Sequence, residues 1–273
     1  MNWLQALLLG LVQGLTEFLP VSSSGHLAIG REILGVEASG DLVFEVTVHA
    51  ATVLATIVAF RKEIVRLLAG LFKFRYNDET DYILKICLSM VPVLIVGVFF
   101  KDRVENLFSS LLVVGLALVV TSMLLFFSDY FSHKREKSAV VPEKTEPRNG
   151  IGWWQALLIG IGQAFAVIPG LSRSGTTIST GLLCGVRREK VAQFSFLMVL
   201  VPILGEAFLD VVGGDLAASS IGLFPLVVGF IAAFISGLFA CQVMIALVKK
   251  AKLRWFALYC AVVGLLVILF TMR

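Results

Sequence analysis

The sequence predicts an all-α polytopic membrane protein of two inverted-topology repeats. Each repeat is a re-entrant helical hairpin plus three transmembrane helices, for ten helices and six full crossings. Three observations carry this reading. Of 273 residues, 58% are hydrophobic and 15% charged, at a mean hydropathy of +0.92, whereas soluble domains carry about a quarter charged residues. The apolar side chains fall into ten blocks, several long enough to cross a hydrocarbon core of about 30 Å. The chain also matches itself at an offset of 150 residues. This composition excludes a disordered, fibrous or nucleic-acid-binding chain, and a formal charge of +4 is too small to call for a polyanion partner. Cys87, Cys184, Cys241 and Cys260 form no close pair, so they read as packing thiols.

The first repeat, residues 1–127, holds apolar blocks at roughly 3–19, 22–35, 43–60, 84–100 and 107–127. The 3–19 block lacks a preceding basic residue and a cleavage site, so it is expected to be retained. The polar run 128–152 reads as a cytoplasmic linker. The second repeat, 153–273, holds blocks at roughly 153–169, 174–186, 191–210, 219–247 and 255–271, and the two repeats are expected to form a single membrane domain. Trp3, Gln5, Gly10 and Gln13 recur as Trp153, Gln155, Gly160 and Gln163, and Ser22, Ser24 and Gly25 as Ser172, Ser174 and Gly175. A register shared by Gln, Ser, Gly and Trp is far less expected by chance than one shared by apolar letters.

The second block of each repeat gives only about 20 Å of helix, too little to span comfortably. Pro, Ser and Gly join it to the first block, so each pair reads as a hairpin that returns to its own face. The three remaining crossings per repeat invert the second repeat. With six crossings, seventeen Lys and Arg residues fall in the loops of one face, against Arg31, Lys101, Arg103 and Arg273 on the other. The first face is therefore expected to be cytoplasmic. Ten full crossings would distribute these charges alike, but would separate the loops Pro20–His26 and Pro169–Thr177 by a membrane thickness. As re-entrant elbows, the two loops can meet inside the bundle around a polar cavity.

Together these loops supply hydroxyls, the carboxylate of Glu17, the imidazole of His26 and the guanidinium of Arg173. Turns rich in Ser and Gly that open helices present free N–H groups at the positive end of the helix dipole and suit phosphate. Ser22, Ser24, Gly25, Ser172, Ser174, Gly175 and Thr177 are the candidate binding positions, with Gln13 beside them. The bland alternative makes the serines helix caps or packing residues. It serves Glu17 and Arg173 poorly, because an ionised group at membrane depth is costly and marks a pathway or site. Glu45 and His49, one turn apart, either line the cavity or pair with one another, and Glu206 reads as a block-end residue.

The run Gln13 to Glu17, the segment Pro20 to His26 and the stretch Pro169-Gly-Leu-Ser-Arg-Ser-Gly-Thr-Thr177 resemble the undecaprenyl pyrophosphate phosphatase, or bacitracin-resistance, family over essentially the whole chain. The resemblance implies an integral enzyme of the bacterial cytoplasmic (inner) membrane. Such an enzyme hydrolyses undecaprenyl diphosphate to undecaprenyl phosphate and inorganic phosphate, recycling the lipid carrier for peptidoglycan synthesis, with its site opening to the periplasmic side. It implies catalytic roles for Glu17, Ser23, His26 and Arg173. Gln13 takes the first position of a Glu/Gln-x-x-x-Glu element, where many relatives carry a carboxylate, and an amide cannot be a base.

Two schemes follow from the residue types. In one, Ser23 attacks phosphorus and His26 or Glu17 takes its proton. In the other, Glu17 orders a divalent cation, Mg or Ca, that activates water. No organic cofactor is expected. The expected partners are a polyprenyl diphosphate lipid and membrane lipids, with a homodimer left open. The competing function is a secondary transporter or lipid translocase, because inverted repeats with broken helices also build transporters.

Overall fold

The computed structural model describes residues 1–36, 42–100, 103–104, 107, 110–138, 147–213, 221–250 and 252–272. Among them are eleven α-helices and no strand: α1 (Trp3–Phe18), α2 (Ser23–Leu34), α3 (Leu42–Ala59), α4 (Arg61–Leu71), α5 (Asp78–Phe99), α6 (Leu111–Ser138), α7 (Trp153–Phe165), α8 (Arg173–Leu183), α9 (Arg188–Gly213), α10 (Leu223–Lys250) and α11 (Arg254–Thr271). Four of these, α5, α6, α10 and α11, are long and apolar enough to cross a membrane, and α3 with α4 make a fifth candidate bent by 75°. Large side chains such as Leu94, Val98, Phe239 and Leu269 are exposed on the outer faces, as expected where the solvent is hydrocarbon.

Local chemistry sets the ends of the two hairpins. Asn2 caps α1 in a capping box, with Gln5 N–H donating to the Asn2 side chain at 2.9 Å and Asn2 N–H to Gln5 Oε1 at 2.8 Å. The Gln5 amide then reaches across to donate to the Leu34 carbonyl at 3.1 Å, closing the base of the α1–α2 hairpin. The same device recurs 150 residues on. Gly152 N–H donates to Gln155 Oε1 at 2.6 Å, and Gln155 Nε2 to the Cys184 carbonyl at 3.0 Å. The returning arms are short, with α2 of 12 residues and α8 of 11.

Close helix approach holds the bundle together. Gly10 and Gly14 of α1 face Gly229, Ala233 and Gly237 of α10, a seam of small residues at four-residue spacing. A Cβ at Gly14 would lie 2.1 Å from Ser236 Oγ and 2.5 Å from the Ala233 carbonyl oxygen. In the second half, α7 lies as closely on α5: a Cβ at Gly160 would lie 2.3 Å from the Ser89 carbonyl oxygen. The other long seam joins α6 to α11.

Two features differ from the sequence expectation. The expected loop between the third and fourth blocks contains α4, whose Ile64, Leu67, Leu68 and Leu71 recur at helical spacing among charged residues too frequent for an apolar block. The expected linker boundary at 128 falls inside α6, which continues to Ser138 and buries Ser128 and Asp129. These polar residues are satisfied across the bundle, Ser128 donating to Ser179 at 3.0 Å and Arg188 to Asp129 at 2.9 Å, so the helix extends beyond its apolar run. At the far end of that segment, Arg148–Gly150 is a 3₁₀ turn and Ile151 is fully buried. Residues 139–146 of the linker, Lys101, Arg273 and the Glu206 side chain lie outside the described residues.

Gly14→Ala should lower the midpoint of thermal unfolding in detergent, because overpacking a tight seam costs about 1–3 kcal/mol. Gly97→Ala, where a Cβ meets no atom of the described residues within 4 Å, should leave the midpoint unchanged or raise it.

Candidate functional site

The two elbows touch. Ser174 Oγ donates to the Leu19 carbonyl at 3.2 Å. A Cβ on Gly25 would lie 3.1 Å from Gly170 Cα, and one on Gly175 would lie 3.4 Å from Pro20 Cβ. Both elbows are also tied to long helices away from the helix ends. Ser172 N–H donates to Thr121 Oγ1 of α6 at 3.0 Å, and the Cys260 thiol of α11 lies 3.7 Å from the Pro20 carbonyl. Gly170 has φ +88°, and a side chain there would collide with the Val114 carbonyl oxygen at 2.5 Å, so glycine is required on both counts. Ser22 has φ +72° without being glycine, a strained backbone at the turn itself.

These turns start α2 and α8. Ser22 Oγ accepts from Gly25 N–H at 3.2 Å and Ser172 Oγ from Gly175 N–H at 3.1 Å, so both serines are helix caps. Ser22 lies 3.3 Å from the Ser24 hydroxyl, and Ser172 3.4 Å from that of Ser174. Thr177 is fully buried, donates to the Arg173 carbonyl at 2.9 Å and lies 2.5 Å from the Ser195 hydroxyl on α9. It braces the first turn of α8 from within.

Glu17 is the centre of the polar cluster. Its Oε2 accepts from the Ser23 hydroxyl at 2.5 Å and from Gln13 Nε2 at 2.9 Å. His49 Nε2 of α3 stands 4.0 Å away, and only 7% of the Glu17 side chain is exposed. Arg173, the first residue of α8, attracts the same carboxylate electrostatically. Glu17, Arg173, Ser174, Thr52 and Thr56 line a cavity of about 20 Å³, room for about one water. Phe196, Val199 and Leu200 of α9 close its apolar side. The Arg173 guanidinium lines this cavity, where its fork can meet an anion.

His26 points elsewhere. Its Nδ1 lies 2.7 Å from the Ser22 carbonyl, so that nitrogen carries the proton, and its Nε2 lies 2.8 Å from the Tyr259 hydroxyl of α11. The two rings are stacked, 9° apart in plane. Gln13, Glu17, Ser23, Arg173 and Ser174 therefore converge, whereas His26 is held one face away by Tyr259.

Sequence reasoning missed Tyr259, Ser195, Thr52 and Thr56, and left the role of His49 open. Thr52 and Thr56 stand three and seven residues after His49, a polar stripe at helical spacing that an apolar block does not need. Glu45 and His49 do not pair through their side chains: Glu45 takes Arg31 at 3.3 Å, while His49 Nδ1 bonds the Glu45 backbone carbonyl at 2.9 Å. That bond leaves His49 Nε2 facing Glu17.

A carboxylate that accepts a serine hydroxyl is an activated-nucleophile pair. Two helix N-termini and a guanidinium beside it supply positive potential for a multiply charged oxyanion. Among the described residues, the Gln13 side-chain oxygen Oε1 is buried without a partner. With Glu17 it provides two protein oxygens suited to a hard divalent cation.

Residues 6–266 match the family described as Bacitracin resistance protein BacA. A protein of Bacteroides fragilis named undecaprenyl-diphosphatase is 53% identical over 98% of this chain and 98% of its own length. One of Parabacteroides distasonis with the same name is 53% identical over 100% of this chain and 99% of its own. Undecaprenyl-diphosphatase 1 of Shouchella clausii is 35% identical over 99% of this chain and 97% of its own.

If the cluster grips a phosphoanhydride, inorganic pyrophosphate at about 100 times its Kd should stabilise the protein by about 2.7 kcal/mol. That gain would read as a raised unfolding midpoint, lost in Arg173→Ala. An equal rise in the variant would remove Arg173 from the site.

Proposed function

Because the chain belongs to the Bacitracin resistance protein BacA family, we propose that it hydrolyses undecaprenyl diphosphate to undecaprenyl phosphate and inorganic phosphate. The observation that carries the chemistry is the 2.5 Å bond from the Ser23 hydroxyl to Glu17, whose cavity Arg173 also lines. Phosphoryl transfer asks mainly for positioning and for neutralisation of charge on the moving group. Arg173 and the N–H groups opening α2 and α8 hold the terminal phosphoryl group. Ser23 Oγ attacks its phosphorus, the hydroxyl proton passes to Glu17, and the bond to the lipid phosphate oxygen breaks. Water then attacks the phosphoserine and releases phosphate, with Ser23 taking a proton back. Glu17 serves as base because its carboxylate already accepts the Ser23 proton, whereas both ring nitrogens of His26 are engaged elsewhere. His26 follows Ser23 by three residues, on the same face of the first turn of α2. Held by the Ser22 carbonyl and Tyr259, it fixes the start of α2 that carries Ser23 and takes no direct part in the transfer.

Glu17 and Gln13 Oε1 are the residues that would hold a divalent cation of the Mg or Ca class. It would supply neutralising charge to the phosphate oxygens. Gln13 contributes a neutral oxygen and no base.

The chain works as two inverted repeats with six crossings in the bacterial cytoplasmic membrane, its site opening to the periplasm. The support is threefold. The capping and clamping bonds of Gln5 and Gln155 recur at one offset. The arms α2 and α8 are short. The basic residues crowd the face expected to be cytoplasmic.

Phosphate release by the purified protein in detergent should fall at least about 10³-fold in Arg173→Ala. Glu17→Gln should fall by about 10²–10⁴-fold. Ser23→Ala should abolish a phosphoserine that acid quenching traps in the parent, and full activity in Ser23→Ala would transfer the attack to water. Tyr259→Phe keeps the ring stacked but removes the hydroxyl. It should lower kcat by about tenfold or less, the share of one lost orienting hydrogen bond.

A further inference from the structure

The helix that sequence reading missed carries a surface the proposed chemistry does not use. α4 leaves α3 through a 75° bend at Phe60. If α3 runs near the bilayer normal, that bend lays α4 close to the membrane plane, at the level of the lipid headgroups. The helix docks on the bundle along one narrow edge. Leu67 and Gly70 are buried, a Cβ on Gly70 would meet the Glu79 side chain at 2.3 Å, and Asn77 Nδ2 donates to the Gly70 carbonyl at 2.8 Å. Glu63 and Ile64 are partly covered along the same edge, and the remaining arc is open. Val65 (64%), Leu68 (46%) and Phe72 (69%) make an exposed apolar stripe, and Phe74 (90%) and Tyr76 (59%) extend it into the turn that follows. Lys62 and Arg66 are exposed on an adjoining arc, followed by Lys73 and Arg75. Between Arg61 and Tyr76 there are five cations and one carboxylate, Glu63, which Arg66 engages at 2.5 Å.

A water-facing helix has no use for that stripe, and a helix sunk in hydrocarbon could not carry those cations. Both fit the boundary between headgroups and acyl chains, where aromatic rings and lysine stems are at home. The excess of positive charge selects the headgroup. We infer that Arg61 to Tyr76 is a docking surface for anionic phospholipids of the leaflet it faces. The apolar stripe seats among the acyl chains and Lys62, Lys73 and Arg75 engage the phosphates.

Two measurements on the full-length protein test this inference. After delipidation, phosphatidylglycerol and phosphatidylcholine are titrated in and bound lipid is counted by native mass spectrometry. The variant K62Q/K73Q/R75Q should bind phosphatidylglycerol about tenfold more weakly or worse. Its phosphatidylcholine binding and its phosphate release in phosphatidylcholine nanodiscs should be unchanged. Unaltered phosphatidylglycerol binding overturns the charge assignment. In the second measurement, p-benzoylphenylalanine replaces Phe74 and the protein is irradiated in native membranes. An adduct of phospholipid mass supports the inference. A protein adduct, or none, overturns it.

Discussion

The contact between two broken helices inside the bundle is the constraint on which the rest depends. A helix broken inside an apolar bundle frees backbone N–H and carbonyl groups that apolar side chains cannot satisfy. Here each elbow is satisfied by its own cap serine, by the opposite elbow and by a long helix: Ser174 donates to the Leu19 carbonyl, and Thr121 Oγ1 accepts from the Ser172 N–H. Removing one elbow would strand the polar groups of the other. The same mutual dependence brings Glu17 from one half of the chain beside Arg173 from the other. A buried charge without a partner is costly, so the interaction that joins the elbows also assembles the proposed site.

Close packing makes the contact possible. Helices can bring their turns together only if their backbones approach, and Gly10 and Gly14 on α1 remove the side chains that would hold α10 away. Gly25, Gly170 and Gly175 do the same where the turns meet. The outer faces carry the opposite composition, large apolar side chains open to lipid. α4 is the exception that mixes the two chemistries, and its bend sets it apart from the spanning helices.

Much of this was readable in advance, and the misreadings have physical causes. The short arms α2 and α8 were legible because their apolar blocks are short and open on Pro, Ser and Gly turns, and the Gln5 and Gln155 match marks two hairpins closed in the same way. α4 was hidden because a window tuned to long apolar runs discards a helix with charges on one arc. The end of α6 was hidden because Ser128 and Asp129 look like linker residues until their partners Ser179 and Arg188 are known. The serines divided as their geometry required: Ser22 and Ser172 cap helices, while Ser23 turns its hydroxyl to Glu17.

The sequence by itself determined the medium, the all-helical class, the two hairpins and the candidate polar residues, because each follows from local composition and spacing. Tertiary structure alone decided the pairings. Glu17 receives Ser23 and faces His49 and Arg173, while His26 turns to a tyrosine 233 residues away. Which hydroxyl meets which carboxylate depends on how helices distant in sequence pack and how their turns are aimed. No local pattern encodes that geometry.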